Sequence, residues 1–176
     1  KIKITNEDVL QTLIAYKPSL QNPANRRFNY SNTNFVLLAL IIERVSGKLY
    51  GDYLQEVFFT PLQMTNTKVF NRNDSATATP SYMWNGVQEA FTYLDVTYGD
   101  KNIYSTPRDL VKFDLATYSP DFIKPELLQE AYYGYSAAHV AKPIKDYGLG
   151  MRMRYLANGE KLVYHNGWWH GNNTSF

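Results

Sequence analysis

The chain reads as an α+β fold, helices first and an antiparallel sheet last. Three observations predict it. The run Val36 to Val45 is apolar on nearly every face, as in a core helix. Thr106-Pro107-Arg108-Asp109 is a compact helix opening, with a capping hydroxyl, a proline suited to the first helical position and an acid that can reach back as the box partner. Near the other end, Met151, Met153 and Tyr155 alternate with Arg152 and Arg154, the period of a strand, and Asn158-Gly159 is a hairpin turn that returns Lys161 to Tyr164 alongside.

At 176 residues the chain has the length of one domain, helical over about 5–135 and stranded over about 145–176. Net charge is +2 with no Lys or Arg run, so nothing marks a nucleic-acid or anionic-membrane partner. Cysteine is absent, which excludes disulfides, a thiolate nucleophile and a zinc ribbon. No apolar stretch reaches the roughly 18 residues of a spanning helix, and no signal-peptide pattern opens the chain.

In order, Thr5-Asn6-Glu7-Asp8 predicts a helix start, with Val9, Leu10, Leu13 and Ile14 on its apolar face and Pro18 as its stop. Asn32 or Thr33 can cap the core helix, and Gly47 suits its left-handed end. Tyr50, Tyr53, Leu54 and Val57 mark a shorter helix ending before Pro61. Asn71 to Pro80 predicts exposed loop, and Tyr82 to Tyr98 one or two short strands. Gly99-Asp100-Lys101-Asn102 is a turn signal. Leu110, Val111, Phe113, Leu115 and Ala116 are expected to carry the next helix inward, and Pro125 to Ala131 predicts another. Tyr147 to Leu156, including Gly148 and Gly150, reads as strand.

The segments Phe28-Asn29-Tyr30-Ser31-Asn32-Thr33, Pro61-Leu62-Gln63-Met64-Thr65-Asn66-Thr67, Ser105-Thr106-Pro107-Arg108-Asp109-Leu110, Tyr147-Gly148-Leu149-Gly150 and His165-Asn166-Gly167 occur in that order. Together they resemble the serine β-lactamase and penicillin-binding-protein superfamily, most closely its class C branch of D-alanyl-D-alanine carboxypeptidases, D-aminopeptidases and esterases. The resemblance implies a β-lactamase/transpeptidase-like fold and an acyl-enzyme hydrolase. Its implied substrates are D-amino-acid peptides, β-lactams or small esters, with no metal or organic cofactor, in a parent that is exported.

The resemblance also implies site roles. The Tyr30 hydroxyl helps move the nucleophile's proton, and Asn32 hydrogen-bonds the substrate amide. His165 stands where the family usually has Lys, beside substrate-binding Asn166 and Gly167; Gly167 lets substrate backbone approach, and the Trp168 N–H is one oxyanion donor, worth about 3 kcal/mol of barrier. An imidazole near its usual pKa of roughly 6.5 is only partly cationic at neutrality and holds a carboxylate weakly, which shifts the expectation from β-lactamase toward peptidase or esterase. The family's Ser-x-x-Lys is not found: Ser105 has Arg108 at the Lys position, and a guanidinium is no base. The expectation is therefore a piece lacking the nucleophile and the terminal strands, inactive alone, with an apolar face bared for homo-oligomerisation. The alternative is a non-catalytic binding module of the same fold.

Simpler readings exist for each residue. Tyr30 is one of 15 tyrosines and could be packing, Asn32 a helix cap, and Trp168 pocket wall. His165 and His170 have no third His or acid near them in sequence to complete a metal site. Gly134-Tyr135-Ser136-Ala137-Ala138 lacks the last glycine and preceding strand of a nucleophile elbow.

Overall fold

Thr5 opens the first helix as predicted. Its hydroxyl accepts from the Asp8 N–H at 3.2 Å, and the Asp8 carboxylate accepts from the Thr5 N–H at 2.8 Å, a capping box that starts Asn6–Tyr16 (α1). The structure, a computed structural model, describes residues 3–24, 26–136 and 144–176. The chain forms two compact units, one of Lys1–Leu20, Tyr30–Phe113 and Trp169–Asn172, the other of Gln21–Asn29, Asp114–Trp168 and Asn173–Phe176.

The first unit is built on Asn32–Ser46 (α2) and Tyr50–Leu54 (α3), the latter running on into a π-helical turn, Gln55–Phe59. Gly47 ends α2 at φ +69, the left-handed conformation the sequence predicts. Ala39, Tyr50, Leu54, Phe59 and Met64 form the buried core, flanked by Ile42, Tyr53, Phe58, Leu62, Val69, Tyr98 and Phe113. The helix expected to be buried all round is not. It buries Val36, Ala39 and Leu40, whereas Leu38, Ile41 and Val45 are 50%, 53% and 83% exposed. α1 and α3 both meet α2, and they leave this stripe uncovered.

The segment after the core is joined by Lys68–Val69 (β1) pairing antiparallel with Ile103–Tyr104 (β2). Residues expected to be plain loop instead form a 3-10 turn, Arg72–Ala76, because Asn71 and Asp74 close a second capping box. The strands expected over Tyr82 to Tyr98 reduce to one bridge, Tyr82 to Gln88.

Pro107–Thr117 (α4) starts where predicted, but with a different use of its acid. The Asp109 N–H donates to the Thr106 hydroxyl at 3.3 Å, as in a capping box. The carboxylate does not reach back; it is buried and accepts from the Asn66 N–H at 2.7 Å, the Thr67 hydroxyl at 2.9 Å and Lys112 Nζ at 3.0 Å. Thr67 also shares a hydrogen bond with the Ser105 hydroxyl at 2.7 Å. Two of the motifs that carry the family resemblance are thus the two sides of one polar joint. Burial opposes ionisation of Asp109, and the bonds from Lys112, Asn66 and Thr67 outweigh it, leaving the carboxyl below its usual range. Val111 and Leu115, expected inside, are exposed, since residues so spaced face away from Leu110 and Phe113.

The second unit holds Pro125–Ala131 (α5) and an antiparallel sheet of Lys145–Tyr147 (β3), Arg152–Tyr155 (β4) and Lys161–Tyr164 (β5) in the order β3-β4-β5. The predicted β4–β5 hairpin is present, with Gly159 at φ +88 in its turn and Met153 fully buried opposite Val163. Gly148 and Gly150, expected within a strand, instead turn the chain between β3 and β4; Gly150 has φ +88, and a Cβ on Gly148 would strike the Ala131 carbonyl. The Asp146 carboxylate accepts from the Ser136 N–H and hydroxyl at 2.9 and 2.7 Å and from the Tyr147 N–H at 2.8 Å. Ala137 and Ala138 of the rejected elbow lie outside the described residues. A further hairpin that the sequence reading did not predict pairs Asn166–Trp169 (β6) with Asn172–Ser175 (β7). Among the described residues no helix is long and apolar enough to cross a membrane.

The Asp109 joint generates a test. Thr67→Val lowers unfolding free energy by about 1–3 kcal/mol, since it leaves a buried carboxylate short of a donor. Asp109→Asn also destabilises, and the double mutant loses less than the two single losses combined. Denaturant melts of the four proteins check it; simple additivity would mean that the two side chains do not act together.

Candidate active site

Tyr30 and Asn32 sit where a loop becomes a helix. Tyr30 lies in the segment leading into α2, and Ser31, not Asn32 or Thr33, takes the cap position in extended conformation (φ −142, ψ 115) without a side-chain capping bond. Asn32 is the first helical residue. Its carboxamide is exposed, as is the Tyr30 phenol. The helix beneath them is held by Asn6, which is buried: its Nδ2 donates to the carbonyls of Val36 (3.1 Å) and Tyr98 (2.9 Å), and its Oδ1 accepts from the Tyr98 N–H (3.0 Å). Two exposed polar side chains at the open N-terminus of an anchored helix can meet a ligand without moving the scaffold.

His165 follows β5 in the second unit. Its backbone pairs with Phe176 in both directions, at 2.8 and 2.9 Å. Its Nε2 shares a hydrogen bond with the Tyr147 hydroxyl at 3.2 Å, and the two rings meet edge to face at 6.0 Å. Tyr147 is opposite Arg152 in the ladder, and Arg152 is opposite Tyr164. The Arg152 guanidinium lies 6.0 Å from the centre of the Tyr147 ring, and the Phe28 ring is 4.8 Å from the same tyrosine. Burial lowers the His165 pKa from 6.5; a bond with the Asn166 backbone opposes this, and the Arg152 charge adds to it. The imidazole therefore carries less charge near neutrality than a free histidine would.

Asn166, Gly167 and Trp168 continue from it along β6, all exposed, Trp168 at 75%. A Cβ on Gly167 would meet the Thr174 hydroxyl across the hairpin, so a side chain there would have to turn that exposed hydroxyl aside. The structure brings His165 together with Tyr147 and Arg152, and places Tyr30 and Asn32 in the other unit. Tyr147 and Arg152 were not anticipated as members of the site. The signal lay in the Tyr147-Gly148 motif and in the arginines of β4. Among the described residues no cluster of three or more His, Asp or Glu side chains could hold a metal ion.

Residues 7–176 match the family model described as beta-lactamase. The chain belongs to the beta-lactamase family. Penicillin-binding protein 4* of Bacillus subtilis (strain 168) is 31% identical over 96% of this chain and 41% of its own length. Among solved structures, a D-stereospecific amidohydrolase from Streptomyces sp. superposes with a TM-score of 0.74 at 25% identity, covering 97% of this chain and 52% of that one. An octameric penicillin-binding protein homologue from Pyrococcus abyssi gives 0.74 at 27% identity, covering 93% and 38%. The chain thus has the β-lactamase/transpeptidase-like fold and spans about half or less of these relatives.

In this beta-lactamase-family chain the state of His165 can be measured. Because the folded state disfavours its protonation, its contribution to stability is complete above the unfolded value of 6.5 and is lost as pH falls below it. A proton NMR titration should place the His165 midpoint below 6.5, and Arg152→Gln should raise it. A wild-type midpoint at or above 6.5 would contradict an imidazole whose protonation is disfavoured by partial burial.

Proposed function

We propose that the protein carrying this chain is a serine hydrolase that works through an acyl-enzyme. The observation that carries this reading is a beta-lactamase family match over residues 7–176 that retains Tyr30-Ser31-Asn32 at a helix start and His165-Asn166-Gly167 after a strand. In the proposed reaction a serine outside this chain attacks the substrate carbonyl. Its proton passes by way of the Tyr30 hydroxyl, Asn32 hydrogen-bonds the substrate amide, and the Trp168 N–H donates a hydrogen bond to the developing oxyanion. The leaving group takes a proton as the acyl-enzyme forms, and water then releases the acid and regenerates the serine. This chain alone has no attacking oxygen in the family's Ser-x-x-Lys setting and is inactive in the proposed scheme.

The substrate class is an amide or ester at a D-configured residue. A His165 whose protonation the fold disfavours offers little charge to a substrate carboxylate, which favours peptides, amides and esters over β-lactams. One similar structure is that of a D-stereospecific amidohydrolase, which agrees with this choice. Such substrates, if derived from cell wall, place the parent outside the cytoplasm.

The full-length protein, treated with a fluorescent penicillin or fluorophosphonate, should take a covalent label. Tyr30→Phe should slow labelling by about 10²–10⁴-fold, the range for lost proton transfer. Absence of label from a full-length protein lacking Ser-x-x-Lys would overturn the hydrolase reading and leave the non-catalytic binding module.

The uncovered stripe Leu38, Ile41 and Val45 supports self-association of this chain as it stands. Light scattering should give a dimer or larger, and Ile41→Glu should shift it to monomer. A wild-type monomer at high micromolar concentration would refute this.

A further inference from the structure

Asp95 is buried in the first unit, and three donors converge on it. Its Oδ1 accepts from the Trp169 indole Nε1 at 2.7 Å and is 2.6 Å from His170 Nε2; its Oδ2 accepts from the Thr92 N–H. The second ring nitrogen of His170, Nδ1, lies 3.1 Å from a Glu89 carboxylate oxygen. An imidazole with carboxylates at both nitrogens must donate at both, and only the doubly protonated ring can. These groups, with Phe70, Phe91 and Tyr104, line a small cavity.

What they grip is a turn. His170 and Gly171 join β6 to β7, and His170 has φ +50, a conformation uncommon for residues with a side chain. A Cβ on Gly171 would strike the Tyr82 backbone, and Asn172 Nδ2 donates to the Ser81 hydroxyl at 2.7 Å. Lys101, ion-paired with Asp100, stands 4.6 Å over the Trp169 ring.

We propose that Asp95, Glu89 and His170 form a proton-dependent latch that positions the turn of the β6–β7 hairpin, the strand pair on which Gly167 and Trp168 lie. Asp95 and Glu89 are positioning residues in this arrangement; they act through His170 and the indole. The latch stands on its own geometry, and only its effect on turnover rests on the hydrolase reading. Deprotonating His170 removes one donor and sets a ring lone pair against a carboxylate. The charged and titratable groups around the ring are Asp95, Glu89, the Lys101–Asp100 pair and Tyr104, whose hydroxyl is held above its usual pKa by burial and the Asp95 charge. Burial disfavours the imidazolium, but the bonds and charges of Asp95 and Glu89 outweigh it and raise the His170 pKa above 6.5. Stabilisation by the latch is therefore full below 6.5 and lost as pH rises through the folded midpoint.

Hydrogen exchange of the 165–176 segment, followed by mass spectrometry on the full-length protein from pH 5.5 to 9.5 and corrected for intrinsic rates, tests this. Protection should fall at alkaline pH by about tenfold for each unit by which the His170 midpoint exceeds 6.5. His170→Gln should abolish the step, and the milder Glu89→Gln should move it to lower pH. A pH-independent hairpin, or a step that survives His170→Gln unchanged, would overturn the latch. Exchange is read without substrate, so failure of penicillin labelling leaves this outcome unaffected. An active enzyme with a pH-independent hairpin sinks the latch alone.

Discussion

A polar group taken out of water must find partners, and this chain meets that demand across long stretches of sequence. Asn6 bonds to Val36 and Tyr98, Asp109 to Asn66 and Thr67, and Asp95 to Trp169 and His170. Each group is nearly or fully buried. The apolar core gathers residues 39–64, but it is these few carboxylates and carboxamides that decide which loop meets which helix. A hydrophobic contact tolerates sliding. A buried acid with three donors does not, because any slip strands a charge.

This explains how much could be read in advance. The first helix, the left-handed Gly47, the short helix at Pro125–Ala131 and the Asn158-Gly159 hairpin all follow from rules that span a few residues, and all are present. The errors share one cause. Asp109 fits a capping box by spacing, and a partner 43 residues away claimed it instead. Gly148 and Gly150 sit in an alternating segment, yet the Ala131 carbonyl leaves no room for a side chain at Gly148, and Gly150 takes φ +88. The apolar run of α2 has the composition of a core helix, and its exposed stripe could not be told from composition alone. The β6–β7 hairpin carries no apolar alternation to betray it.

The site was legible as motifs and illegible as environments. Tyr30, Asn32 and His165 could be named from their neighbours in sequence. That the fold disfavours protonation of His165 could not, because burial and Arg152, thirteen residues earlier, lower its pKa. His170, five residues on, is driven the opposite way by Asp95 and Glu89. Two imidazoles on one short stretch thus answer to pH with opposite sign, and nothing in the letters around them distinguishes the two.

Gly99 shows what such close fitting implies for sequence drift. It has φ +93, and any Cβ there would run into the Phe35 carbonyl and the Ala39 methyl of α2. A change at the first or second position of a glycine codon introduces a side chain or a stop, so every amino-acid replacement within one step of this codon is closed. In a saturation library the position should stand as a blank column, while Leu20 and Trp84, almost wholly in solvent, accept most polar replacements.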